Sequence, residues 1–248
     1  MALDTFLLLV LAGFAGGFIN AAVGAGTLIV YPVLLAAGLP PVVANGTNTA
    51  GLWLGSFSSA WAYRAEIRDR LSVLRRPIIA TVIGAAIGAS LVVAIPSIVF
   101  TSIVPWLVAS ATVLVAVQPI VVRRIRARDH VGHRRLWPWT GVVGVYGGYF
   151  GAAQGVMLMA ILGLVYDTDT QRANGVKNIL AASANATAAI VFAASGAVVW
   201  LAALAVTIGS VPGGYVGGRL SRRLPNYVLR GLVVLVGVGA TAYLVVTR

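Results

Sequence analysis

The chain contains no cysteine, so disulfides, thiolate metal sites and cysteine nucleophiles are excluded. Acidic residues are scarce, six against eighteen Lys and Arg. All six, Asp4, Glu66, Asp69, Asp129, Asp167 and Asp169, lie at the ends of apolar runs or between them. Proton pumps and many proton-coupled carriers place Asp, Glu or His within the membrane. No carboxylate does so here, which argues against an intramembrane cation cage. The two histidines, His130 and His133, sit in a basic central stretch and read as solvated loop residues rather than metal ligands. No Walker A sequence occurs, and no hydrolase, kinase or metalloprotease motif. Gly24-Ala25-Gly26 lacks the preceding strand and βαβ unit that a dinucleotide loop needs. No catalytic group, metal or cofactor is expected. Polar stretches longer than a loop are also missing, so no soluble domain is hidden in the chain.

Apolar sequence dominates instead. Of 248 residues 59% are hydrophobic and 10% charged, against about 25% charged in a soluble domain. Eight apolar segments are expected at 3–37, 42–62, 77–95, 99–122, 137–165, 173–194, 197–217 and 226–247. A span takes about 20 apolar residues, so the fold class is an all-α polytopic membrane protein. Pro41 and Pro77 sit where a first helical turn would begin. Met1-Ala2-Leu3-Asp4 lacks the basic start of a signal peptide, and the first segment is expected to stay in the mature protein. The net charge of +12 lies in three arginine clusters, 64–76, 123–135 and 219–223, between apolar runs. That is the positive-inside pattern of cytoplasmic loops in a multi-pass plasma-membrane protein. It excludes a nucleic-acid partner and makes the lipid bilayer the partner, with some attraction to anionic headgroups.

Two stretches repeat each other. Gly16-Gly17-Phe18-Ile19-Asn20-Ala21-Ala22-Val23-Gly24 matches Gly147-Gly148-Tyr149-Phe150-Gly151-Ala152-Ala153-Gln154-Gly155 at five of nine positions, with an offset of 131. Ala44-Asn45-Gly46 matches Ala173-Asn174-Gly175 with an offset of 129. The chain therefore divides into a first repeat, 1–122, a basic cytoplasmic linker, 123–136, and a second repeat, 137–248. Segments one and five carry clustered glycines, which predict either a helix break or re-entrant half-helices. The alternative is a small-residue packing seam; for a single glycine it is the better reading, for the repeat-related pair the break is. With eight full crossings, Arg219, Arg222 and Arg223 fall on the wrong side. With segments one and five re-entrant, all three clusters lie inside and the repeats are inverted. The second arrangement is preferred.

Lys177 is the single lysine, about a turn inside segment six. Asn174, Lys177, Asn178 and Asn185 share one helical face. The same stripe in the first half is Asn45, Asn48, Thr49 and Ser56. Polar faces are costly toward lipid, so both should face the interior. An ammonium, amides, hydroxyls and helix N-termini without acidic neighbours describe a small-anion site. The competing readings are a snorkelling lysine and asparagines that glue helices together. Gln118 and Gln154 are further polar groups in apolar runs, and Gln154 lies in the Gly-rich break.

Gly16 to Gly26, Pro32, Gly38-Leu39-Pro40 and Asn45-Gly46-Thr47-Asn48 resemble the first half of the TauE/SafE family, the sulfite exporter or 4-toluene sulfonate uptake permease family. Gly147 to Gly155 and Arg172-Ala173-Asn174-Gly175-Val176-Lys177-Asn178 resemble its second half. The resemblance implies a plasma-membrane transporter of sulfite, sulfonates or related small sulfur-containing anions. Asn20 in the first half faces Gly151 in the second, so the site is expected to be asymmetric. The expected function is secondary transport by alternating access. Substrate-binding residues would be Asn20, Gly24, Asn45, Thr47, Asn48, Gln154, Gly155, Asn174, Lys177 and Asn178. A passive anion channel is the alternative, and a membrane-embedded enzyme or assembly subunit ranks below it. The partner is the anion; a homo-oligomer is left open.

Overall fold

Helix follows helix along the chain, and the computed structural model describes residues 1–68, 71–126, 136–166, 169–221 and 226–246. The elements are α1 (Leu3–Ala22), α2 (Thr27–Ala36), α3 (Pro41–Ala62), α4 (Arg64–Ile67), α5 (Leu71–Ala94) and α6 (Ser97–Arg126). They continue with α7 (Leu136–Tyr149), α8 (Gln154–Val165), α9 (Thr170–Ala194), α10 (Trp200–Leu220) and α11 (Asn226–Val246). No strand occurs among the described residues. Among the described residues six helices are long and apolar enough to cross a bilayer: α1, α9, α10 and the greater part of α5, α6 and α11. The 22-residue α3 has the length, but its polar stripe lowers its hydropathy and it is not among the six. The protein is thus an all-helical, multi-pass membrane protein. Asp69, Asp129, His130, His133, Asp167, Arg222, Arg223 and the linker from 127 to 135 lie outside the described residues.

Local sequence explains most helix ends. Pro41 opens α3 in the first-turn position where its missing N–H costs nothing. Asp169 caps α9, its carboxylate accepting from the N–H groups of Gln171 and Arg172 at 2.8 and 3.4 Å. Pro77 departs from expectation. It lies inside α5, because the helix already begins at Leu71. Ser72, Val73, Arg75 and Arg76 of this opening turn are exposed and Leu74 is buried, and its charges place the turn outside the apolar run.

Both glycine readings hold, at different residues. α1 packs along α10, and α7 along α5. In each pair glycine lets the backbones touch. A Cβ on Gly13 would strike the Val206 backbone and one on Gly17 that of Ser210. A Cβ on Gly144 would strike Thr81 and one on Gly148 Ala85. These are small-residue seams. The breaks lie just beyond, at residues 23–26 between α1 and α2 and 150–153 between α7 and α8. There α2 doubles back on α1, so that Val30 occupies the space beside Gly16. Gln154 at the start of α8 likewise covers Gly147 of α7. Segments one and five are therefore helical hairpins.

α3 and α9 pack on each other between these hairpins. Their buried faces carry Asn45, Thr47, Asn48, Ser56, Asn174, Lys177 and Asn178. The outer surface is the inverse of a soluble protein: Leu3, Leu7, Leu8 and Leu11 of α1 and Leu232, Leu235 and Val238 of α11 are exposed. Exposed Trp61, Trp137, Trp139 and Trp200 stand at helix ends, where indole rings favour the membrane interface.

Candidate functional site

The two hairpin turns meet. The Gly155 N–H donates to the Gly24 carbonyl at 3.1 Å, and a Cβ on either glycine would strike the backbone of the other. Gly24 has φ +85° and Gly151 φ +73°, a left-handed conformation that glycine adopts without a Cβ clash. The turns share four hydrogen bonds. Val23 and Gly24 donate to the Ile19 carbonyl, as Phe150 and Gly151 donate to that of Tyr146. Ile29 and Val30 donate to Gly26, as Val156 and Met157 donate to Ala153. The structural offset between the turns is therefore 127, one helical turn away from the 131 of the sequence match.

Each turn leaves carbonyls at the end of its first helix without partners in that helix. The other half of the chain supplies them. Lys177 is fully buried, and its Nζ donates to the carbonyls of Asn20 at 3.2 Å and Ala21 at 2.8 Å. It does not snorkel; it caps the negative end of α1. Asn45 does the same for α7, its Nδ2 donating to the Tyr149 carbonyl at 2.9 Å. Each capping side chain comes from the polar stripe of the opposite half. No carboxylate among the described residues pairs with Lys177.

The remaining expected site residues fall into two groups. Asn20 donates to Ser56 Oγ at 3.0 Å, and Asn185 donates to the same oxygen at 3.3 Å. Thr47 Oγ1 accepts from the N–H of Val199, the residue that precedes α10. The N–H of Gly155 is already taken by Gly24. These groups hold the hairpins and stripes together. The second group keeps unpartnered polar atoms in the interior: Oδ1 of Asn45, Asn48 and Asn174, both side-chain atoms of Asn178, and Nε2 of Gln154. Asn48 meanwhile donates through Nδ2 to Thr27 Oγ1, at the first residue of α2. Asn174 and Asn178 lie on the face of α9 that carries Lys177. Turn, stripe and lysine thus converge.

Sequence reasoning missed Thr27, Tyr146 and Tyr149. Tyr146 donates to the Ala152 carbonyl at 2.6 Å and pins the second turn. The ring of Tyr31 meets that of Phe150 edge-on at 5.2 Å and joins the hairpins. A tyrosine in an apolar run gives no signal of its own, since its ring is apolar and its hydroxyl needs one acceptor. Gln118 lies elsewhere. It accepts from Arg230 Nε at 3.0 Å and borders an apolar cavity of about 330 Å³ between α6, α7 and α8. A wider cleft of about 710 Å³ lies at the ends of α3 and α10, with Arg64, Glu66 and Arg219 in its walls. Neither is lined by the asparagines of the junction.

A family profile described as sulfite exporter TauE/SafE matches residues 9–244. A probable membrane transporter protein, ORF9, of Sinorhizobium sp is 27% identical, covering 96% of this chain and 91% of its own. The probable membrane transporter protein YfcA of Escherichia coli strain K12 is 28% identical over 92% of this chain and 85% of its own. A probable membrane transporter protein of Haemophilus influenzae is 24% identical over 99% and 96%. No solved structure matches. The chain is a membrane transporter, not an enzyme, and it belongs to the sulfite exporter TauE/SafE family.

Proposed function

We propose that the protein is a secondary transporter of a small sulfur-containing oxyanion, sulfite or a sulfonate, and that the anion binds where the two hairpins meet. One observation carries the reading. Lys177 is fully buried, and the protein partners of its Nζ are two neutral carbonyls. A buried charge is costly unless it is paired. An anion at the junction supplies the missing counter-charge, and the third N–H of the ammonium is a donor for it. The free amides of Asn178 and Gln154 add neutral donors. The family description names sulfite, and the site contains no carboxylate to repel it.

Residues 1–122 and 137–248 act as inverted repeats in this reading, with the hairpins re-entering the membrane and the arginine-rich loops in the cytoplasm. The matching hydrogen bonds of the two turns support the pairing. So does the packing, since α1 on α10 is mirrored by α7 on α5. Where the turns touch, the halves are joined by one backbone hydrogen bond, worth about 0.5–1.5 kcal/mol net. Such a contact can break and re-form as one repeat rocks against the other.

Uptake of radiolabelled sulfite into proteoliposomes tests the proposal, with sulfate, thiosulfate, sulfoacetate and chloride as competitors. A carrier gives saturable uptake and counterflow, both lost in Lys177→Gln. Flux that never saturates would identify a channel instead. Uptake untouched in Lys177→Gln would remove the site from the junction.

A further inference from the structure

We propose that the ligand of this junction carries its own hydrogen-bond donor. The site takes an oxyanion with an O–H or N–H, such as hydrogensulfite or a hydroxy- or amino-substituted sulfonate, in preference to one that offers acceptors alone. The inference rests on the anion reading of the same site and narrows its substrate class.

An anion by itself needs only donors. The junction also presents acceptors. Oδ1 of Asn45, Asn48, Asn174 and Asn178 is buried in each case without a partner among the described residues. Turning the amides round does not remove the acceptors of Asn45 and Asn178. Asn45 donates through Nδ2 to a backbone carbonyl, and a carbonyl cannot donate in return, so its oxygen is the free end. Asn178 is 1% exposed and both of its polar atoms are free, so either orientation leaves one acceptor and one amino group.

A buried acceptor facing the oxygen of an oxyanion is left unsatisfied and repelled. A site built around a substrate hydroxyl therefore discriminates strongly against the analogue that lacks it. A metal cation would also satisfy amide oxygens. Here, however, the Lys177 ammonium already sits at the carbonyls of Asn20 and Ala21, and like charges in a buried site repel. A donor on the anion satisfies the oxygens and adds no second positive charge. For sulfite the transported form is then the monoanion.

Two sulfonates isolate the effect. Isethionate (2-hydroxyethanesulfonate) and propanesulfonate differ by an O–H in place of a terminal methyl, and neither titrates near neutrality. Each is used to compete with radiolabelled sulfite uptake in proteoliposomes. Isethionate is expected to inhibit at a concentration about tenfold or more below that of propanesulfonate. In Asn178→Leu the preference shrinks toward parity; Asn178 makes no side-chain hydrogen bond that the substitution would remove. Asn174→Leu is a second variant with the same expectation, so one misfolded protein does not end the test. Equal inhibition in the wild type, with sulfite uptake intact, would overturn the inference and leave the anion carrier standing. So would uptake that needs Na⁺ in the wild type and loses that need in Asn178→Leu, because the oxygens would then be holding a cation. If sulfite is not taken up at all, the anion reading falls, and this inference with it.

Discussion

At the first hairpin the last carbonyls of α1 accept from an ammonium, that of Lys177, whereas at the second the Tyr149 carbonyl at the end of α7 accepts from the neutral amide of Asn45. The turns share four hydrogen bonds. Two turns with shared hydrogen bonds thus carry a donor of different charge type on each side of the junction. A symmetric pair of lysines would bring two ammonium groups together, and a symmetric pair of asparagines would offer an anion no charge. Under the proposed anion reading, this asymmetry sets one buried cation against one anion.

Removing that charge is the largest perturbation available. Lys177→Gln keeps donors but loses the ammonium, and sulfite uptake is expected to fall about 100-fold or more, the scale of losing charge-assisted bonds in a dry site. Lys177→Arg is not expected to restore it, because a planar guanidinium cannot replace a compact ammonium between two carbonyls. Proteoliposome uptake at several sulfite concentrations separates lost turnover from lost affinity. Rates near wild type in both variants would mean that the charge difference between the hairpins has no role in transport.

The next largest effect should separate the positive-φ glycines of the two hairpin turns, Gly24 and Gly151. Gly24→Ala carries the left-handed penalty, about 1–2 kcal/mol, and its Cβ also strikes the backbone of Gly155. Overpacking of that kind adds about 1–3 kcal/mol. Gly151→Ala carries the same conformational penalty, but its Cβ meets one carbonyl, that of Gly147, at 3.0 Å. Thermal unfolding in detergent should therefore rank Gly24→Ala well below Gly151→Ala, and Gly24→Ala alone should separate the hairpins and abolish uptake. Equal loss in both would show that φ, and not contact between the turns, sets the effect.

Asn45→Ala follows. It leaves the Tyr149 carbonyl without its cap, at a cost of about 1–3 kcal/mol in a buried site. It should lower the unfolding temperature while retaining more uptake than Lys177→Gln, since no charge is lost. Uptake as low as in Lys177→Gln would make the neutral cap as important as the charged one and erase the contrast.

Much of this was legible in the residues. Apolar runs marked the helices, the glycine clusters marked the hairpins, and the stripes on α3 and α9 marked the polar interior. The register of the repeat was not. The nine-residue match aligned Gly24 with Gly155, whereas the shared turn hydrogen bonds pair Gly24 with Gly151. The cause is the packing seam: Gly144, Gly148, Gly151 and Gly155 recur at every turn of helix, so a slip of one turn places glycine on glycine and scores well. The matched residue is still a contact partner, because Gly155 is what the first turn touches. The targets of Lys177 and Asn45 were also hidden. They are backbone carbonyls, which every residue has, and only the three-dimensional meeting of stripe and turn selects them.

The smallest expected effect tests whether the second turn needs support that the first does without. Tyr146 donates to the Ala152 carbonyl inside the second turn. No side chain among the described residues does this for Ala25, the corresponding residue of the first turn at the structural offset of 127. The first turn is held by an ammonium, and charged hydrogen bonds are roughly twice as strong as neutral ones. The second has a neutral cap and a tyrosine clamp instead. Tyr146→Phe keeps the ring and removes one hydrogen bond, about 1 kcal/mol, so uptake should drop only severalfold. In Asn45→Ala the same change should cost more than it does alone, because both supports act on one turn, whereas in Lys177→Gln it should simply add. A double-mutant cycle on unfolding temperature reads the difference. Coupling of Tyr146 to Lys177 but not to Asn45 would mean that the two turns are supported as one unit, and the comparison between them would lose its meaning.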